Sequence, residues 1–285
     1  MKTLSLLFVL AWTAAVGAGQ DYAVTGMVVA VDRSAKAFTA SIDEIPGFMR
    51  AMTMRFEVRD AAELDGVAPG AMVAFTLAVS PTASHVERLR VVRFENTQPD
   101  PFAASRLALL GEIVSGQTAT TLTPGSAIPD FTLTDQQGRR VSLADFRGKV
   151  VAVNFIYTSC ALPDFCLRLA NHFNVLQKRF ASQLGRELIL LTITFDPVHD
   201  TPEVLAGYAR QWNANPRSWH FLTGPEAEIT RVCRLFGVQA FPNEGLMDHS
   251  LHSVLIDRQG TLVANVEGNR FTAIQFADLV ERALR

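Results

Sequence analysis

The chain has 285 residues, 48% of them apolar and 19% charged, with a net charge of −2. That is the composition of a folded globular protein of one or two domains, long enough to bury a sizeable core. The near-neutral balance gives no reason to expect nucleic acid or a polybasic membrane surface as a partner, and no internal repeat or low-complexity tract interrupts it.

Residues 1–19 carry Lys2, an apolar stretch from Leu4 to Val16, and small residues from Val16 to Gly19. This is the layout of a signal peptide, with cleavage expected after Ala18 or Gly19. The stretch is short for a bilayer span of about 20 residues, and no cysteine follows it to carry a lipid. The expectation is an exported, periplasmic protein with no stable membrane span once the signal is cleaved, and one tethered to the membrane if the signal stays uncleaved. In such a compartment neighbouring thiols tend to pair.

Residues 20–95 hold five β-rich runs, "YAVTGMVVAV", "AFTASI", "AMTMRFEV", "AMVAFTLAV" and "HVERLRVVRF". Turn-forming residues separate them, which predicts a small all-β, OB-like closed barrel. Met52 and Met54 are two apart and so share one face of a strand, with Met49 in the loop before them. Thioether sulfur binds Cu(I) without losing a proton, although same-face methionines also fill barrel cores. The proline-rich "ENTQPDP" opens a linker over residues 96–123, with a short amphipathic helix expected at Ala103–Val114.

From residue 124 to 285 strands and helices alternate. "VVAVNFIY" and "LILLTITF" are continuous apolar runs, as expected of strands buried on both faces. Phe165, Leu169, Phe173, Leu176 and Phe180 recur at helical spacing. Thr201 and Pro202 read as the N-cap and first position of a second helix. "HSVLIDRQGTLVANV" reads as a hairpin, and Thr272–Leu284 as a terminal amphipathic helix. Strand, helix, strand, helix, hairpin, helix is the order of an α/β thioredoxin-like domain.

Cys160 and Cys166, two of only three cysteines, flank the loop after the first of those strands. In a thioredoxin-like fold Cys160 lies in the loop and Cys166 in the first helical turn, where free N–H groups and the helix dipole favour thiolate. So short a loop gains little entropy from a structural disulfide. The spacing is wider than Cys-x-x-Cys, and Tyr157 and Val153 stand where a peroxiredoxin needs Thr and Pro. A structural staple, disfavoured by that short loop, a redox couple and a metal site all remain open. A metal needs a third donor, and "MDHSLHSVLID" offers His249, with His252 in reserve. Two thiolates and an imidazole suit copper, whereas structural zinc wants a fourth ligand for which no candidate is evident. Cys233 reads as a buried helix residue, and His85, His172, His199 and His220 as surface or packing residues.

The segments "IPDFTLTDQQGRRVSLADFRGKVVAVNFIYTSC", "TFDPVHDTPEVLAGYA" and "DHSLHSVLID" resemble the Sco/SenC copper proteins. That resemblance implies a chaperone for the CuA centre of cytochrome c oxidase. It implies Cys160, Cys166 and His249 as copper ligands, a Cys160–Cys166 pair able to cycle through a disulfide, and two partners, the CuA-bearing oxidase subunit and a periplasmic thiol reductant. The commonest family loop has three residues between its cysteines, and this one has five. Residues 22–94 resemble the small CusF-like copper-binding barrels. That implies Met52 and Met54 as ligands and Met49 as a residue covering the metal, but Ile42 stands about where those barrels supply a histidine. The alternatives are a thiol–disulfide reductase and a copper-sequestering tolerance protein.

Overall fold

The computed structural model describes residues 20–80, 82–92, 121–160, 162–243 and 246–285. The expected signal over residues 1–19 and the linker helix at Ala103–Val114 lie outside the described residues.

The first domain is one antiparallel sheet of β1 (Gln20–Asp32), β2 (Ala37–Ile42), β3 (Met52–Glu57), β4 (Met72–Val79) and β5 (Ser84–Val91), in the order β3-β2-β1-β4-β5. β1 is long and changes partners along its length, pairing with β4 from Gln20 to Met27 and with β2 from Gly26 to Asp32. A side chain at Gly26 would put its Cβ 2.6 Å from the Ser41 carbonyl oxygen, so the overlap needs glycine. Phe38, Phe56 and Phe75 pack ring to ring at 4.9–5.6 Å in the interior.

The small all-β domain is as expected, but its backbone does not close. Among the described residues no hydrogen-bonded ladder joins β3 to β5. β5 carries a bulge opposite Phe75, with Arg88 at φ 54°, and that irregularity limits the backbone pairing β5 can offer. Side chains span the gap instead, with Arg59 reaching Glu87 at 3.4 Å.

The second domain is a seven-stranded sheet in the order β14-β13-β8-β9-β10-β6-β7. Its members are β6 (Thr132–Asp135), β7 (Arg140–Ser142), β8 (Val150–Ile156), β9 (Leu188–Thr194), β10 (Trp219–Thr223), β13 (His252–Ile256) and β14 (Leu262–Glu267). β8 and β9 are parallel and fully buried, which is why their sequences are unbroken apolar runs. Among the described residues four α-helices accompany the sheet: α1 (Cys166–Arg179), α2 (Pro202–Gln211), α3 (Glu226–Leu235) and α4 (Ala273–Leu284). α1 and α4 pack together against β8. Thr201 caps α2 as expected, its hydroxyl accepting from the Val204 N–H. A two-stranded arm, β11 (Ala240–Asn243) with β12 (Leu246–His249), precedes β13.

β13 runs antiparallel to β8, and β14 antiparallel to β13. The ends of β8, β9 and β14 and the start of β13 therefore meet at one edge, and the chemistry gathers there. No helix among the described residues is long and apolar enough to cross a membrane.

The two domains share a packed boundary. Val24 and Val28 of β1 point into the first domain's core, while Met27 and Val29, on the opposite face, join the core of the second. Gly70, at φ +85°, sits so close that a Cβ there would lie 2.8 Å from Ala264 Cβ. Gly66 has nearly the same backbone, φ +76°, with nothing within 4 Å of such a Cβ. Gly66→Ala is expected to lower unfolding stability by about 1 kcal/mol through backbone strain, and Gly70→Ala by about 1–2 kcal/mol more through the clash. Paired thermal melts check this, and equal losses at the two glycines would contradict the packed boundary.

Candidate metal centre

β8 ends at Ile156, and the chain turns so that the Cys160 N–H donates to the Tyr157 carbonyl at 3.3 Å. Asp200, buried after β9, holds this turn. It accepts from the Thr158 N–H at 3.0 Å, from the Thr158 hydroxyl, and from the Thr194 hydroxyl at 2.5 Å. α1 begins at Cys166, and its N-cap, Phe165, has no side-chain cap. The first-turn amides are thus free to face the loop. The Cys166 and Leu162 N–H groups turn toward the Cys160 sulfur.

His249 comes from the other side. It ends β12, whose four residues of arm pairing carry too little pattern to read in the sequence. Its imidazole packs against Phe195 at 4.8 Å, Tyr157 at 5.6 Å and Phe165 at 6.1 Å between ring centroids. Nδ1–H donates to the Ser250 carbonyl at 3.1 Å, which leaves the Nε2 lone pair free. Nε2 lies 3.9 Å from Cys166 Sγ. The donor atoms of Cys160, Cys166 and His249 all fall within 4.8 Å of one another. The three residues are only 4%, 0% and 2% exposed.

Both cysteines are free thiols, and they are polarised in opposite senses. The Cys166 thiol donates to Cys160, which draws the Cys160 pKa well below the usual thiol range against the opposing effect of burial. Hydrogen bonding from the Cys166 and Leu162 N–H groups adds to the lowering. Cys166 is driven the other way, by burial first and then by the neighbouring sulfur. Burial, with the two sulfurs beside it, pushes the Tyr157 phenol up.

This donor set fits a soft ion: two sulfurs and one nitrogen in a dry pocket, with the imidazole already turned to the right tautomer. Among the described residues no fourth His, Cys, Asp or Glu joins the group. His252, on β13, is held elsewhere, Nδ1 pairing with Asn265 Oδ1 at 2.9 Å. Cys233 is buried on α3, its thiol pushed up to about 12 by burial.

In the first domain Met52 pairs across from Ile42 and Met54 from Ala40, so a buried isoleucine occupies the position opposite Met52. Met52 is 50% exposed, whereas Met54 and Met49 pack partly against the domain core. Met49 is tied back to Ile45 by paired backbone hydrogen bonds of 2.9 and 3.0 Å. Asp43 is engaged by Thr25 at 2.6 Å.

Asp200 and the aromatic walls Tyr157, Phe165 and Phe195 escaped the sequence reading. The only sign of Asp200 was an acid between a buried strand and the Thr201-Pro202 cap, which says nothing of its reach across 42 residues to Thr158.

Fold and donors together define a thioredoxin-fold protein with a buried Cys/Cys/His cluster suited to a soft metal or a dithiol–disulfide couple. The chain belongs to the SCO1/SenC family, whose model matches residues 119–285. The model for the copper binding periplasmic protein CusF matches residues 21–91, so the N-terminal domain is CusF-like. An SCO2-like protein of Rickettsia typhi is 33% identical over 141 residues, covering 47% of this chain and 66% of that one. The mitochondrial SCO2 homolog of Bos taurus is 31% identical over 160 residues, covering 54% and 58%. In both the match spans less than two-thirds of the relative's own length. The crystal structure of Arabidopsis thaliana ScoI with copper bound superposes with a TM-score of 0.50 at 25% identity, over 56% of this chain and 99% of that one.

The polarised cysteines make a spectroscopic prediction. In the reduced protein one equivalent of ultraviolet thiolate absorbance should persist as pH falls from about 8 to about 6, because a lowered pKa keeps Cys160 ionised, whereas an ordinary thiol loses nearly a hundredfold of its thiolate over that range. Cys166→Ala removes the donor and should move the titration to higher pH. A wild-type profile like that of a free thiol would contradict the geometry.

Proposed function

We propose that this chain is an exported copper metallochaperone that serves assembly of the CuA centre of cytochrome c oxidase. Cys160, Cys166 and His249 are its copper ligands, and the half-exposed Met52 and the more buried Met54, with Met49 beside them, form a second, weaker copper site. The convergence of two sulfurs and one free imidazole nitrogen within 4.8 Å carries this reading. Kinship with copper-bound ScoI and the CusF match support copper as the ion. The periplasmic description of CusF and the signal-like residues 1–19 support export.

In the proposed cycle a thiol reductant gives two electrons to a Cys160–Cys166 disulfide by thiol–disulfide exchange. The released dithiol and His249 capture copper, with loss of the thiol protons to water. The ion then leaves by ligand exchange to the CuA-bearing subunit.

One observation favours a second reading, a thiol–disulfide reductase. The pair couples an acidified Cys160 at a helix N-terminus with a protonated, deeply buried Cys166, the division of labour such enzymes use. His249→Ala separates the two. Under the chaperone reading, metal analysis of the reduced variant shows copper at the cysteine site falling to the level of Cys160→Ala, while reduction of a disulfide substrate persists. Copper retained by His249→Ala alongside lost reductase activity would reverse the assignment.

A further inference from the structure

The cysteines bracket a loop of five residues, and a longer loop leaves its ends more freedom. Among the described residues its backbone hydrogen bonds are local. The Cys160 N–H donates to the Tyr157 carbonyl at 3.3 Å, and the Phe165 N–H to the Leu162 carbonyl at 3.2 Å. The bonds that reach another part of the fold run through Asp164. Its carbonyl accepts from the Asn269 side-chain amide at 2.5 Å, and its carboxylate accepts from Arg168 at 3.0 Å. Arg168, one turn along α1, donates with its other terminal nitrogen to the Asn269 carbonyl at 3.1 Å. Asp164, Arg168 and Asn269 therefore close a ring of three hydrogen bonds between segments 105 positions apart.

Asn269 is itself held beside the segment that carries the third donor. It stands in the turn between β14 and α4, and Gly268 before it donates its N–H to the Leu251 carbonyl at 2.8 Å. Leu251 is buried and lies two residues after His249. The next residue, His252, pairs with Glu267 in the β13–β14 ladder. At its far end the turn is anchored by Phe271, whose buried ring packs on His172 of α1 at 4.9 Å and on Phe276 of α4 at 5.6 Å. One short turn, residues 268–271, is thus hydrogen-bonded to the cysteine loop on one side and to the His249 segment on the other.

We propose that Asn269 and Arg168 are positioning residues for the metal centre, which through this turn fix the cysteine loop against the His249 segment so that two sulfurs and Nε2 stay within reach of one ion. This deepens the copper reading and rests on it. The Arg168–Asp164 ion pair alone would not suffice. It joins residues four apart, and the Asp164 side chain is 71% exposed, so the pair is screened and weak. What crosses between the segments is the pair of bonds that Asn269 makes, one from its side-chain amide and one to its carbonyl. Arg168 acts through the second of these.

The test measures release of Cu(I) from reduced full-length protein to an excess of a strong Cu(I) chelator, followed as decay of the thiolate-to-copper absorption of the cysteine site. Asn269→Ala removes the amide that holds the Asp164 carbonyl and changes no charge. It should release copper about fivefold faster than wild type, the factor set by one lost hydrogen bond of ordinary strength. Arg168→Met should speed release by a similar factor, and Arg168→Lys by less, because lysine keeps a donor for the Asn269 carbonyl. Gly66→Ala strains the backbone of the first domain without touching this turn, so it separates positioning from stability and should release copper at the wild-type rate. A wild-type rate in Asn269→Ala would overturn the inference, as would an equal acceleration in Gly66→Ala, and in either case the copper site itself stands. Wild-type protein that shows no thiolate-to-copper absorption would overturn the copper reading, and this inference with it.

Discussion

Two sulfurs and an imidazole pressed together out of water carry a desolvation penalty that each alone would meet by staying neutral. Here the charge on Cys160 is shared among the Cys166 thiol and the N–H groups of Leu162 and Cys166. Most of the second domain is arranged to keep that sharing in place. Parallel β8 and β9 deliver the cysteine turn and the Asp200 turn to one edge. Asp200 ties the two together, and antiparallel β13 obliges the β12 arm to present His249 at the same edge. The aromatic rings around His249 exclude water, which strengthens each of these interactions.

The first domain depends on the second more than a tethered module would. Between Met27 and Val29 β1 buries both of its faces, one in each domain. The polar grip lies where the strands meet α4: the Asp278 carboxylate is shared by the Ser41 and Thr53 hydroxyls and Arg179, with the capping Gln275 one turn away. Because Arg179 closes the cysteine helix, the same carboxylate touches the frame of the metal centre and the strands that carry the methionines.

The strands β8 and β9 and the stripe along α1 were legible in the sequence because double-sided burial and helical packing leave periodic marks. The cysteine pair and His249 were legible as chemistry, since few other residues can hold a soft ion. Other features left no periodic mark. Closure of the first domain turned on a bulge in β5. The β11–β12 arm is too short to stand out from "GLMDHS". Asp200, Ser41, Thr53, Gln275 and Asp278 look like ordinary surface residues until the fold pairs them, in one case across 237 positions. Their roles arise from complementarity over long separations, which no local spacing records.

The central claim is that one soft ion can be held by both cysteine sulfurs and the His249 nitrogen together. X-ray absorption of the Cu(I)-loaded Met52→Leu/Met54→Leu chain, in which only the cysteine site can contribute, tests it most directly. The account predicts a first shell of two sulfurs and one imidazole nitrogen, with the outer-shell imidazole scattering lost in His249→Ala. A sulfur-only shell, or a spectrum unchanged by that substitution, would contradict it.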